Sequence, residues 1–210
     1  MTNDQLFAVL TIVVMAGTIG WSLLHFVAKG RSIRSAGSSG GEATVRRLGL
    51  IERAAYVLLT LTAIALAVSG MAPSLLFGEM LSGYLLMAHV MAGGVFMFFL
   101  LLTALLGAGG AAGPDGKFAA SQRCSFWVIL ALGVGTALTM MFSMLPIFGP
   151  HGLEVLRELH RYMGLAIVAV GYWHIYQTMF VRRGRMSWLV SGKVSSEWAR
   201  QYWPQRQTVE

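Results

Sequence analysis

The sequence predicts an all-α integral membrane protein with five transmembrane helices. Of its 210 residues, 56% are hydrophobic and 12% are charged, and the mean hydropathy is +0.64. Five apolar stretches each approach or exceed the roughly 20 residues that a helix needs to cross a bilayer. The net charge of +7 comes from basic residues beside these stretches, which is typical of membrane topology signals and not of a nucleic-acid-binding surface.

The spans follow the apolar stretches in chain order. We expect the first to be retained, because its start, MTNDQ, lacks the basic region of a signal peptide. The second ends at Pro73, and the fourth is stopped by Pro146 and Pro150, because proline interrupts a helix. The predicted spans cover residues 5–27, 50–71, 81–106, 125–145 and 153–181.

The spans divide the chain into four parts. Residues 1–28 form an added N-terminal transmembrane helix, and residues 29–49 form a basic, Gly/Ser-rich cytoplasmic loop. Residues 50–182 form a four-helix bundle that holds the candidate cofactor ligands. Residues 183–210 form a basic, tryptophan-containing cytoplasmic tail at the membrane surface.

The distribution of Lys and Arg predicts the orientation. Six lie in residues 29–53, two in residues 108–124 and six in residues 182–210, whereas the opposite side holds only Arg157 and Arg161. Cytoplasmic loops carry the excess of positive charge. We therefore predict a multi-pass protein of a bacterial inner membrane, with its N-terminus outside and its C-terminus in the cytoplasm.

The chain lacks the motifs of an enzyme with its own substrate chemistry. Its single cysteine, Cys124, excludes an internal disulfide and a cysteine-ligated iron–sulfur cluster within the chain. Neither a phosphate-binding loop nor a dinucleotide fingerprint is present. Any catalytic chemistry must therefore come from a partner protein.

Two histidines on the last span are the first candidate ligands. His160 and His174 are fourteen residues apart, which places them about 21 Å apart along a helix and within roughly 40° of the same face. Ionisable residues inside a membrane are costly and often functional. Their positions, one near each edge of the bilayer core, suit two haem irons. The alternative is that each histidine only hydrogen-bonds a neighbouring helix.

His89 is the candidate partner of His160 in an outer haem site. It lies early in the third span, at the depth of His160, and a glycine follows each histidine by four residues, at Gly93 and Gly164. A glycine one turn along clears space for the edge of a porphyrin. The alternative is close helix packing through small residues.

His25 is the candidate partner of His174 in an inner haem site. It ends the first span beside the basic loop, at the depth of His174. The alternative for His25 is an interfacial histidine that reaches water. His151 follows Pro150 in the outer loop, where we expect it to be solvated.

Several segments resemble one family. The last span with its two histidines, the tail segment GKVSSEWARQYWP at 192–204 and the segment FAASQRCSFW at 118–127 resemble the cytochrome b (gamma) subunit of respiratory formate dehydrogenases. That family belongs to the di-haem, quinone-linked cytochromes b. The resemblance covers roughly residues 46–204 and leaves out the first span.

The resemblance implies specific ligands. His89 and His160 match the family's outer-haem ligands, and His174 matches its inner-haem ligand on the last helix. The family's R-x-x-H-W motif, which supplies the other inner ligand, is replaced by RAAYV, with Tyr56 at the ligand position. We expect His25 to replace the missing ligand. The alternatives are Tyr56, a ligand from another subunit, or a single haem.

The resemblance also implies a function. Such a subunit contains two b haems, anchors an iron–sulfur or cytochrome c subunit and a catalytic subunit on the outer face, and relays electrons to or from menaquinone or ubiquinone. Position by position, it places the quinone near His174 and Gln122. The partner's substrate and the direction of flow stay open.

Two other classes of function compete with this one. The first is a stand-alone four-helix cytochrome b, against which the family-like tail argues. The second is a haem-free anchor or a transporter, although neither repeated halves nor broken helices are evident.

Overall fold

The computed structural model of the chain describes residues 3–34, 44–46, 49–78, 81–112, 120–178 and 193–196. These residues form five α-helices and two short strands. The helices are α1 (Asn3–Arg34), α2 (Leu50–Ala72), α3 (Gly83–Ala112), α4 (Ala120–Ser143) and α5 (Pro150–Tyr176). The strands are β1 (Thr44–Arg46) and β2 (Lys193–Ser195).

Two helices extend beyond their predicted ends. α1 continues to Arg34, so the predicted loop begins later than residue 29. α2 ends at Ala72, directly before Pro73 as predicted, but the helical path continues in a π-helical turn at Pro73–Phe77. The turn ends at Gly78, whose φ of 66° belongs to the left-handed region that glycine adopts readily.

The membrane character agrees with the sequence prediction. Among the residues that the structure describes, four helical segments are long and apolar enough to cross a membrane, at Asn3–Ala28, Leu50–Phe77, Gly83–Gly107 and Arg123–Ser143. Large apolar side chains on these segments are exposed, for example Trp21 and Leu105. This pattern fits a multi-pass membrane protein whose outer surface contacts lipid.

α5 is not among these four segments. Its first turns carry four charged residues, which lower its mean hydropathy, at Glu154, Arg157, Glu158 and Arg161. Residues 179–181 of the predicted fifth span lie outside the described residues. The fifth span therefore stays a prediction, although the 27 residues of α5 correspond to about 40 Å of helix.

The four helices of the bundle form a ring. α2 packs on α3, α3 on α4 and α4 on α5, and α5 closes the ring against α2. Neighbouring helices of the ring run in opposite directions, so α3 and α5 are parallel to each other. They lie on one diagonal of the bundle. Residues on the inward faces of α3 and α5 therefore face each other across the bundle.

The middle of the bundle is closed by a glycine contact. A Cβ at Gly133 of α4 would collide with the Leu100 side chain and would lie 3.5 Å from Phe96 Cε1. Phe96 and Leu100 of α3 are both buried. The absence of a side chain at Gly133 therefore allows α3 and α4 to approach each other closely at this level.

α1 lies outside the ring and packs along α5. Near its start, Asp4 accepts a 2.6 Å ion pair from Arg161, whose guanidinium carbon lies 4.1 Å from the centre of the Phe7 ring. Near its end, His25 Nδ1 lies 2.8 Å from the Tyr176 hydroxyl. The start of α1 contacts an earlier residue of α5 than the end of α1 does, so α1 and α5 run parallel.

A small ribbon modifies the all-α prediction. β1 and β2 pair antiparallel, with Thr44 opposite Ser195 and Arg46 opposite Lys193. The ribbon joins the loop after α1 to the tail, two segments that are far apart in the chain.

We predict that Gly133→Ala destabilises the bundle, because its Cβ overlaps Leu100. Overpacking of this kind lowers the free energy of unfolding by about 1–3 kcal/mol. Chemical unfolding in detergent, followed by circular dichroism, measures the change. Gly94→Ala is the matched control, because a Cβ there meets nothing within 4 Å. Equal stability of the two variants would contradict the packing at Gly133.

Candidate functional site

The structure brings His89 of α3 and His160 of α5 together inside the bundle. Their ring centroids are 6.3 Å apart and their planes are inclined by 68°. Two imidazoles that bind one metal from opposite sides, with metal–nitrogen bonds of about 2 Å, have ring centres about 6 Å apart. The observed separation therefore fits a pair of axial ligands.

Hydrogen bonding sets the tautomer of His89. The Ser69 hydroxyl donates to the Ala65 carbonyl oxygen at 2.7 Å. Its oxygen therefore accepts from His89 Nδ1, which lies 2.8 Å away. With its proton on Nδ1, neutral His89 has its lone pair on Nε2, the nitrogen that binds a metal.

His160 has the same tautomer for an independent reason. Its Nδ1 lies 3.0 Å from the Thr136 carbonyl oxygen, which is an acceptor only. Nδ1 must therefore carry the proton and donate it. Thr139, whose hydroxyl donates to the same carbonyl at 2.7 Å, lies 3.2 Å from this nitrogen as a second acceptor.

Two glycines leave space beside these rings. A Cβ built at Gly93 or at Gly164 meets nothing within 4 Å. This observation agrees with clearance for a flat ligand and not with close helix packing at these two positions. In contrast, a Cβ at Gly70 would lie 3.1 Å from His89 Cε1, so Gly70 is the glycine that admits the His89 ring beside α2.

The donor set suits a haem better than a bare metal ion. In the part of the chain that the structure describes, no three His, Cys, Asp or Glu side chains converge on one point. A bare ion needs three or four protein ligands, whereas a porphyrin supplies four nitrogens and needs only axial ligands from the protein. The two imidazoles and the open glycine faces therefore fit a haem.

His174 and His25 lie at the other end of the bundle, where each contacts a hydroxyl group of a neighbouring helix. His174 Nδ1 lies 2.7 Å from Ser125 Oγ of α4. His25 contacts Tyr176, whose ring lies 5.8 Å away from its own. Tyr176 follows His174 by two residues, so the two side chains leave α5 about 160° apart.

The remaining predicted residues have separate locations. His151 is exposed in the first turn of α5. Tyr56 is half-buried on α2. Gln122 belongs to α4, but its side chain lies outside the described residues, so the predicted quinone contact there is not examined by the structure.

Sequence reasoning missed the hydroxyl groups that hold the histidines. The residues concerned are Ser69, Ser125, Thr139 and Tyr176. Serine and threonine are common in membrane helices, and each partner lies on a different helix from its histidine. The sequence gives the depth of each hydroxyl along its span, but not the rotation of the helices. That rotation decides which hydroxyl contacts which histidine.

Comparison with protein-family models finds no match to this chain, and comparison with curated proteins finds no similar sequence. The resemblance to the gamma subunits of formate dehydrogenases therefore stays a prediction.

We predict that 15N NMR of the haem-free protein in detergent at neutral pH shows His89 and His160 as Nδ1–H tautomers. Ser69→Ala removes the acceptor of His89, so its tautomers should mix. His160 is the internal control, because its acceptor is a backbone carbonyl that the substitution leaves in place. Nε2–H tautomers in the unsubstituted protein would contradict the hydrogen-bond assignment.

Proposed function

We propose that the chain is a membrane cytochrome b that relays electrons between a soluble redox partner and the membrane quinone pool. The observation that carries the proposal is the His89–His160 pair, with ring centroids 6.3 Å apart and both Nδ1 protons donated to neighbouring helices. Two imidazoles held in this way would bind one b haem between α3 and α5. When bound, haem iron alternates between two oxidation states and so carries one electron.

The role of this chain's residues is to fix the ligands before the cofactor binds. Ser69 holds His89 from α2, and Thr136 and Thr139 hold His160 from α4. A hydrogen bond to Nδ1 orients the ring and raises the basicity of the other nitrogen, as second-sphere partners do at metal sites. The apolar surroundings exclude water and favour a low local dielectric.

A second b haem at His174 is part of the proposal. His174 has the same kind of support, because Ser125 of α4 contacts its Nδ1. Two sites at opposite ends of the bundle divide an apolar layer of about 30 Å into shorter electron-transfer distances. We propose His25 as the fourth ligand, with Tyr56, a ligand from another subunit or a single haem as the alternatives.

The partner and the quinone complete the proposed relay. The outer end of the bundle, near His89 and His160, faces an iron–sulfur or cytochrome c subunit and its catalytic subunit. The inner end, near His174, faces menaquinone or ubiquinone in a bacterial inner membrane. Support for these two roles comes from the topology predicted by charge and from the resemblance of residues 46–204.

We predict that His89→Ala and His160→Ala each remove one b haem per chain, because a haem with one remaining imidazole is held weakly. Haem content and the reduced-minus-oxidised spectrum of the purified protein measure the loss. His151→Ala is the matched control, since this histidine is exposed at the start of α5. Full haem content in either variant would contradict the assignment of His89 and His160 as the ligands of one haem.

Electron transfer to or from quinone needs a separate test. Addition of a short-chain naphthoquinol or benzoquinol to the oxidised protein should reduce its haem under anaerobic conditions. Haem that dithionite reduces but neither quinol reduces would contradict the quinone-linked function and leave a stand-alone cytochrome b.

A further inference from the structure

Thr103 of α3 has a buried hydroxyl without a hydrogen-bond partner. Its Oγ1 is shielded from the surface and, among the described residues, accepts from and donates to no other group. Other helical threonines donate to a carbonyl one turn earlier in their own helix. They are Thr11, Thr18, Thr60, Thr62, Thr136, Thr139 and Thr178. The Thr103 hydroxyl is therefore directed away from its own backbone.

An unpartnered hydroxyl is unusual in this position. Buried polar groups in proteins nearly always have a protein, water or ligand partner, because an unmade hydrogen bond costs free energy. Bulk water does not reach the apolar core of a bilayer. Thr103 lies within the apolar segment Gly83–Gly107, so a bound ligand is the natural partner.

The position of Thr103 relates it to His174. It follows His89 by fourteen residues, as His174 follows His160, and α3 and α5 run parallel, so both lie about 21 Å beyond the His89–His160 pair. A second contact relates this level of α3 to the level of His174. A Cβ at Gly107, one turn after Thr103, would lie 3.7 Å from the ring of Phe126, the residue next to Ser125 that holds His174. Thr103 is therefore within about one turn of the level of His174.

The surroundings determine the chemistry of the ligand. The neighbouring side chains on this face of α3, Phe96 and Leu100, are buried and apolar. A charged ligand would be costly there. A neutral, flat molecule with a carbonyl oxygen would bury its ring against apolar surface and accept the Thr103 proton.

We propose that the Thr103 hydroxyl donates a hydrogen bond to a carbonyl oxygen of the bound quinone at the inner end of the bundle. The inference rests on the proposed quinone-linked function and adds a residue that positions the quinone head group. Thr103 makes no covalent bond and transfers no electron. Its loss therefore affects quinone affinity and not haem content.

The test compares Thr103→Val, which keeps the shape and removes the hydroxyl, with Thr103→Ser, which keeps the hydroxyl. Thr62→Val is the matched control, because that hydroxyl donates to the Leu58 carbonyl of its own helix. The readouts are haem content, and KM and kcat for haem reduction by a short-chain naphthoquinol or benzoquinol. We expect Thr103→Val to raise KM about five- to tenfold with unchanged haem, as loss of one hydrogen bond implies. Thr103→Ser and Thr62→Val should keep the original KM.

Direct binding separates this inference from the proposed function. Quenching of tryptophan fluorescence by a short-chain naphthoquinone measures a Kd that requires no haem. If the protein binds no haem, the proposed function fails. The role of Thr103 is still tested, because Thr103→Val should raise this Kd about five- to tenfold. An unchanged KM and Kd in Thr103→Val, an equal effect of Thr62→Val, or no quinone binding by the unsubstituted protein would overturn the inference. If Thr103→Val does not accumulate, Thr103→Ala carries the same expectation.

Discussion

The hydrogen bonds that fix imidazole rings between helices are the interaction on which the rest of the structure depends. Inside an apolar bundle each ring nitrogen needs a partner, and water is not available to provide one. Ser69 and the Thr136 carbonyl take the Nδ1 protons of His89 and His160. The lone pairs are thereby placed on Nε2, which is the arrangement that the proposed haem ligation requires.

The helix arrangement follows from the same requirement. His89 and His160 lie on diagonally opposed, parallel helices, and the helices between them, α2 and α4, supply the hydroxyl and carbonyl acceptors. Gly70 lets the His89 ring lie against α2, and Gly133 lets α3 approach α4 in the middle of the bundle. Added bulk at either glycine would change the distance between the helices that hold the rings. The added helix α1 is attached to α5 at two levels, through Asp4 and His25.

The sequence was sufficient to predict a helical membrane protein, because the apolar spans are long and the charged residues lie at their ends. It also placed His89 and His160 at one depth, since spacing along a helix converts directly into height. It could not give the rotation of each helix, on which the Ser69, Ser125 and Tyr176 contacts depend. The π-helical turn at Pro73–Phe77 was not predicted, and the pairing of β1 with β2 depends on contacts between distant segments that no short pattern encodes.

The most direct measurement is the absorption and low-temperature EPR spectrum of the protein purified from haem-supplied cells. Two imidazoles on one iron should give an intense Soret band, sharp α and β bands on reduction, and a low-spin ferric signal. A colourless protein would contradict haem binding altogether. A purely high-spin ferric signal would contradict the joint ligation of one iron by His89 and His160.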